Sequence, residues 1–296
     1  MADESIQVAE LGWLARDALI ETRGRARVVA ALARSAYLEA GVTLIWIGAA
    51  GSPLHGRAIV AGRPLPPSLP DAMMLDVTDA VVWRPDDDPT AIDAATVAEA
   101  ARSLLTRLGE AGTPDGFATL LTGGVLGFPF DRAAPAGRAL AAASHDEDTD
   151  AATRAADELI GLGPGLTPAG DDFVGGVFFA RARLGLPDSR ERWRAAGEIV
   201  CARARQSTHP ISAVLLADLV AGRGHAPLHD LARGFALAAS PITLLDAARR
   251  LVRIGHSSGW DMLAGFLAAL VPPRYWHTGC SPLRRRRASA PRNFFP

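Results

Sequence analysis

The sequence predicts an α+β fold, with a β-rich N-terminal half packed on a mainly α-helical C-terminal half. Two observations predict it. Between residues 24 and 85, short β-branched and apolar runs alternate with Gly and Pro turns. After residue 150, apolar residues recur at the helical period almost without interruption. A chain of 296 residues with 49% hydrophobic and 21% charged residues can bury a core, so it reads as globular and not disordered.

In chain order, residues 4–21 predict an amphipathic helix, with Ile6, Leu11, Leu14, Ala15 and Leu19 near the 3.6 period. "VTLIWIG", "RAIVAG", "AMMLDV" and "AVVWRP" predict strands of a small antiparallel unit. Residues 92–111 read as a helix, "TGGVLGFPFDR" as a Gly-rich connection, and 133–146 are ambiguous. Helices are expected over 150–161, 171–184, 190–205, 211–221, 228–239, 241–254 and 260–271. Ser240 before Pro241 is an N-cap followed by proline at the first helical position, and Gly222 and Gly255 stand where helices stop. The expected organisation is a helix plus a small antiparallel β domain over 1–115, a Gly-rich and polar connection over 116–150, a helical domain over 151–275, and a flexible tail over 276–296. Arg284 to Arg287 fall in that tail and read as solvated.

Composition excludes several functions. The formal net charge of −1 gives no global field for nucleic acid or an anionic membrane. No apolar run reaches the length of a membrane span, and the acidic start "MADESIQVAE" is unlike a secretory signal, so a cytoplasmic location is expected. Cys201 and Cys280 make neither a disulfide framework nor a zinc cluster. All 31 Lys and Arg residues are arginine, which removes P-loop lysine, Schiff-base and pyridoxal-lysine chemistry. No G-x-S-x-G nucleophile elbow is read, no H-E-x-x-H and no paired C-x-x-C occur, and no G-x-G-x-x-G follows a strand.

The informative stretch is "LGPGLTPAGDD", Leu162 to Asp172, set in the most apolar part of the chain. Gly163 and Gly165 free the backbone for positive φ, Thr167 is a candidate N-cap and Pro168 a candidate first helical residue. A glycine turn feeding a helix N-terminus gathers unpaired N–H groups and the positive dipole end, which suits an anion. Asp171 and Asp172 follow, about 100° apart on a helix, so one can face a site while the other caps, or both can flank a metal. A capped helix after a glycine turn explains the same residues structurally. Two carboxylates entering "FVGGVFFA" favour the functional reading, because charge at the edge of a buried region needs partners.

"SSGWDMLAG" repeats this pattern. Gly259 aligns with Gly170, Asp261 with Asp172, and Gly265 with Gly176. Asp and Gly at i and i+4 share a helix face, so another backbone can approach beside each carboxyl. Two helix N-termini would then converge on one pocket, with Ser257 and Ser258 at hand and His256 as acid/base or as a surface residue. His55 and Arg57 lie on a loop between strands, where Arg57 could clamp a carboxylate or remain solvated. Thr208 precedes a helix, and capping accounts for it as well as a site does.

"GLGPGLTPAGDDFVGG" followed by "GHSSGWDMLAG" resembles the family of the oxamate carbamoyltransferase subunit AllH, with Ala169 where Ser is usual and Trp260 beside Asp261. The resemblance implies purine-nitrogen catabolism, with two partner proteins, by exchange of a carbamoyl group between oxalurate and phosphate to give oxamate and carbamoyl phosphate. For such a transfer the residues read above supply catalytic candidates in Asp171, Asp172, His256 and Asp261. Substrate contacts would come from Gly163, Gly165, Thr167, Gly170, Ser257, Ser258, Gly259, His55, Arg57 and Thr208. No cofactor is expected outright; Mg²⁺ would sit on Asp171 and Asp172 if any metal binds. An enzyme on another small carboxylate or acyl phosphate, and a non-catalytic subunit, stay open as alternatives.

Overall fold

The computed structural model describes residues 5–66, 68–86, 93–128 and 130–276; Cys280 and Arg284 to Arg287 lie outside them. The N-terminal part is a closed mixed β-barrel of six strands. β1 (Ile6–Gly12), β2 (Arg25–Ala31), β3 (Ser35–Ala40), β4 (Thr43–Gly48), β5 (Ala58–Ala61) and β6 (Ala72–Asp76) run round it in the order β1-β6-β2-β3-β4-β5, and β5 closes on β1. β7 (Val81–Trp83) pairs with β1 at Glu10 to Gly12, on the end that β6 leaves free beyond Gln7.

Two expectations are corrected here. The first helix begins late: α1 spans only Trp13–Glu21, and β1 occupies the segment before it. Ile6 and Val8 alternate inward along β1, and neighbours on both edges satisfy its backbone, so barrel closure overrides the helical spacing. The barrel is also not purely antiparallel. β1 runs parallel to β6 and β7, and β4 parallel to β5, the latter pair joined by the long crossover 49–57 and not by a hairpin. Ala36, Leu38 and Ala40 of β3 point into the core with Ile45, Ile47, Ile59 and Leu19, which leaves Tyr37 on the outer face.

The remainder is helical: α2 (Ala94–Thr106), α3 (Ala118–Leu121), α4 (Ala134–His145), α5 (Thr149–Asp157), α6 (Ala169–Leu184), α7 (Pro187–Ser207), α8 (Pro210–Val220), α9 (Ala226–Ala236), α10 (Pro241–Leu251) and α11 (Ser258–Leu270). Side chains of Asp93, Asp148 and Ser240 cap α2, α5 and α10. The ambiguous stretch 133–146 is α4. The helices form two runs, α2–α6 and α7–α11, that interlock: α6 packs on α7 and α8, α11 on α2 and α3, α5 on α7, and α10 on α2.

At the centre α6 crosses α11 backbone to backbone. A Cβ on Gly176 would collide with the carbonyl oxygen of Met262, and one on Gly265 with that of Phe173. Both helices are apolar nearly all round; Phe173, Phe178, Phe179 and Phe266 are buried.

A separate seam joins barrel to helices. Arg57 grips Asp218 of α8 through Nε (2.5 Å) and Nη2 (3.2 Å), and the Ala226 N–H donates to the Leu54 carbonyl at 2.7 Å. The His55 and His225 rings lie 4.7 Å apart, and His229 meets Trp83 and Phe179. Burial holds these imidazoles neutral, pushing His225 down to about 4 and His229 to about 3.

Replacing Gly176 or Gly265 with Ala should cost about 3 kcal/mol or more, since the new methyl meets backbone that cannot rotate away. Gly109→Ala, where a Cβ meets open space, should change stability by less than about 1 kcal/mol. Urea unfolding of the three variants checks this; equal costs would refute the crossing.

Candidate functional site

The Gly-Pro-Gly loop is held in place by one aspartate. Asp171 is 1% exposed, and both its oxygens are occupied: Oδ1 accepts from the Gly161 N–H at 2.7 Å, and Oδ2 from the hydroxyls of Thr208 (2.5 Å) and Ser212 (2.6 Å). It ties the loop before α6 to the start of α8. The Thr208 hydroxyl is thereby committed to Asp171 and does not cap α8; His209 does so.

Gly161, Gly163 and Gly165 adopt positive φ, and the Gly170 N–H donates to the Leu162 carbonyl at 2.9 Å. Pro168, not Thr167, is the residue before the first turn of α6, and no side chain caps the helix. Thr167 instead lies 3.2 Å, hydroxyl to hydroxyl, from Ser258 at the start of α11. That helix is likewise uncapped, with Ser257 in the N-cap position.

The two helices are built alike. A Cβ on Gly170 would strike the Leu159 carbonyl, and one on Gly259 the Leu251 carbonyl, so each helix starts against the end of the preceding segment. They begin side by side and cross two turns later at Gly176 and Gly265. Their positive dipole ends therefore meet on one side of the crossing, an arrangement that anionic charge stabilises.

Beside that junction lie two buried carboxyls. Asp172 is 8% and Asp261 0% exposed, and each has an Oδ2 without a hydrogen-bond partner. The other oxygen of Asp261 accepts from the Phe117 N–H at 2.7 Å, and Gly116 with φ +52 leaves room for it. Burial drives Asp172 well above the usual carboxylate range; the Ser258 hydroxyl acts against this, and Asp261 and Asp171 add to it. Burial also pushes Asp261 up to about 7, opposed by the Phe117 N–H and the Ser257 hydroxyl.

The structure thus gathers Asp172, Asp261, Thr167, Ser257, Ser258 and the glycine loop, with Asp171 supporting them. His256 is exposed just before α11. His55 and Arg57 sit in the barrel–helix seam instead, where Arg57 is committed to Asp218. Sequence reasoning missed Tyr37 of β3, whose phenol the nearby Asp172 helps, after burial, to push up to about 12. It also missed that Gly255-His256-Ser257-Ser258-Gly259 has G-x-S-x-G spacing. Here the flanking elements are helices α10 and α11, and Ser257 has φ −123, so the strained strand-to-helix elbow of a serine nucleophile is not formed. Among the described residues no group of three or more His, Cys, Asp or Glu side chains could hold a metal ion, so the site offers Mg²⁺ no ligand set of that kind. A cavity of about 540 Å³ beside Arg25, Arg27 and Glu39 belongs to the barrel, not to these carboxyls.

Residues 159–270 match the family described as oxamate carbamoyltransferase subunit AllH. The match covers 112 of the 296 residues. The matched region runs from the turn before α6 to the end of α11, and so contains both glycines of the crossing, both uncapped N-termini and all three aspartates. No curated protein and no solved structure matches the chain. Among the described residues no helix is long and apolar enough to cross a membrane.

Asp261 carries a sign that can be checked. Its folded pKa is raised from 3.8 to about 7, so the folded state holds a proton that the unfolded state releases, and stability falls as pH rises through that window. Asp261→Asn, which cannot ionise, should therefore gain roughly 2 kcal/mol relative to the parent between pH 5 and pH 8. Unfolding free energies of both proteins at the two pH values test this; a pH-independent difference contradicts it.

Proposed function

We propose that the chain is a subunit of a carbamoyltransferase that, with partner subunits, exchanges a carbamoyl group between oxalurate and phosphate, giving oxamate and carbamoyl phosphate. The AllH-family match over 159–270 supports the reaction class. The observation that carries the site is the meeting of two uncapped helix N-termini beside two buried carboxyls within that region. Both substrate pairs consist of small oxyanions, and no lysine exists to hold them. N–H groups of the Gly163–Thr167 loop and of the first turn of α11, the Thr167 hydroxyl, and two aligned helix dipoles take that part. In the transfer, negative charge grows on the carbamoyl oxygen, and donors already fixed by the Asp171 bonds stabilise it without reorganising. No covalent enzyme intermediate is needed.

Ser258→Asp tests this reading. A carboxylate in the first turn of α11 is favoured by the helix dipole but displaces the Ser258 hydroxyl from Asp172, so the ligand-induced gain is read against each protein's own ligand-free stability. The substitution also puts negative charge where the ligand's would sit. The parent, at a carbamoyl phosphate or inorganic phosphate concentration 100 times Kd, should gain about 2.7 kcal/mol in thermal unfolding. The variant should gain nothing. An equal gain in both proteins would move the anion elsewhere.

A further inference from the structure

Two oxygen atoms of this site have no partner in the protein. The Oδ2 atoms of Asp172 and Asp261 are buried acceptors, one on each helix of the crossing, and both on its N-terminal side. Buried acceptors normally find donors, and leaving one bare costs about 1–3 kcal/mol. The groups acting on them offer no cation. Asp172 feels Asp261, Asp171, the Ser258 hydroxyl and, from the barrel, Tyr37; Asp261 feels Asp115, the Ser257 hydroxyl and the Phe117 N–H.

The surroundings ask for two different things at once. The helix ends call for an oxyanion, and the bare carboxyl oxygens call for hydrogen-bond donors. Once N–H donors have drawn the carboxyls into their ionised form, a second oxyanion against them would be repelled. A ligand carrying an oxyanion at one end and N–H groups at the other satisfies both.

Resting on the proposed carbamoyltransferase reading, we propose that the bare oxygens of Asp172 and Asp261 read the amide nitrogen of the substrate, so that the site selects primary amides over isosteric methyl compounds. Apart from inorganic phosphate, the substrates of the exchange, oxamate, oxalurate and carbamoyl phosphate, each carry an –NH₂ group. Pyruvate and acetyl phosphate present a methyl in its place with the same charge and nearly the same shape. An N–H donor at either oxygen favours the ionised carboxylate and offsets the burial that raises it. A site whose buried acceptors bond a ligand N–H rejects the analogue lacking it far more strongly than size alone allows.

The experiment is calorimetric titration of the full-length chain with two matched pairs, oxamate against pyruvate and carbamoyl phosphate against acetyl phosphate, alongside inorganic phosphate. The amide member of each pair should bind at least tenfold more tightly. Asp172→Ala and Asp261→Ala should each shrink that ratio, with inorganic phosphate binding retained. Equal affinities within the pairs would overturn the inference while leaving the anion site standing. A ratio unchanged in both variants would overturn the assignment to these carboxyls. Binding of none of the five ligands would sink the carbamoyltransferase site and the inference together.

Discussion

The backbone contact between α6 and α11 is the constraint on which the rest depends. Gly176 and Gly265 let two helices meet without side chains between them, and their N-termini then start side by side. Everything chemical about the site follows from that placement. Two carboxyls one turn before the crossing are buried there, Asp261 against the backbone of Gly116 and Phe117. Two positive helix ends face the same region because the helices share a polarity there. A methyl at either glycine would push the axes apart and disperse all of these groups.

The interlocked arrangement of α2–α6 with α7–α11 explains how such a contact is held. Each terminal helix is wrapped by the first helices of the other run, α6 by α7 and α8, and α11 by α2 and α3. The wrapping elements also supply the hydrogen bonds that fix the aspartates. Thr208 and Ser212 bond Asp171, and the Phe117 N–H bonds Asp261. The two runs are not identical in detail. The α6 side offers a glycine loop rich in free backbone, and the α11 side two serines and an exposed histidine. That asymmetry suits a ligand with unlike ends.

Much of this was legible in the sequence where a local pattern carried it. The Asp-x-x-x-Gly spacing of Asp172 with Gly176, and of Asp261 with Gly265, announced both the shared face and the close approach. The α+β division followed from a change of period near residue 150, and Gly222, with positive φ, directly follows the C-cap of α8 as expected, whereas α10 ends at Leu251, ahead of Gly255. Other features were not local. β1 reads as a helix because its partners, β5, β6 and β7, are all distant in the chain. Tyr37 looks like an ordinary outward strand residue until the barrel brings it near Asp172. Arg57 has the chemistry of an anion clamp, and only the fold reveals that Asp218 occupies it. The division of labour between Asp171, a staple, and Asp172, facing the junction, depends on which donors α8 and α11 present.

The central claim is that the two helix N-termini form a single ligand site. Its most direct test is a titration of ¹⁵N-labelled protein with inorganic phosphate, following backbone amide resonances. The account predicts saturable shifts at Gly163, Gly165, Leu166 and Thr167 together with Ser257, Ser258 and Gly259, all fitting one dissociation constant. Shifts confined to one of the two helices, or centred on Arg25 and Arg27 of the barrel, would contradict it.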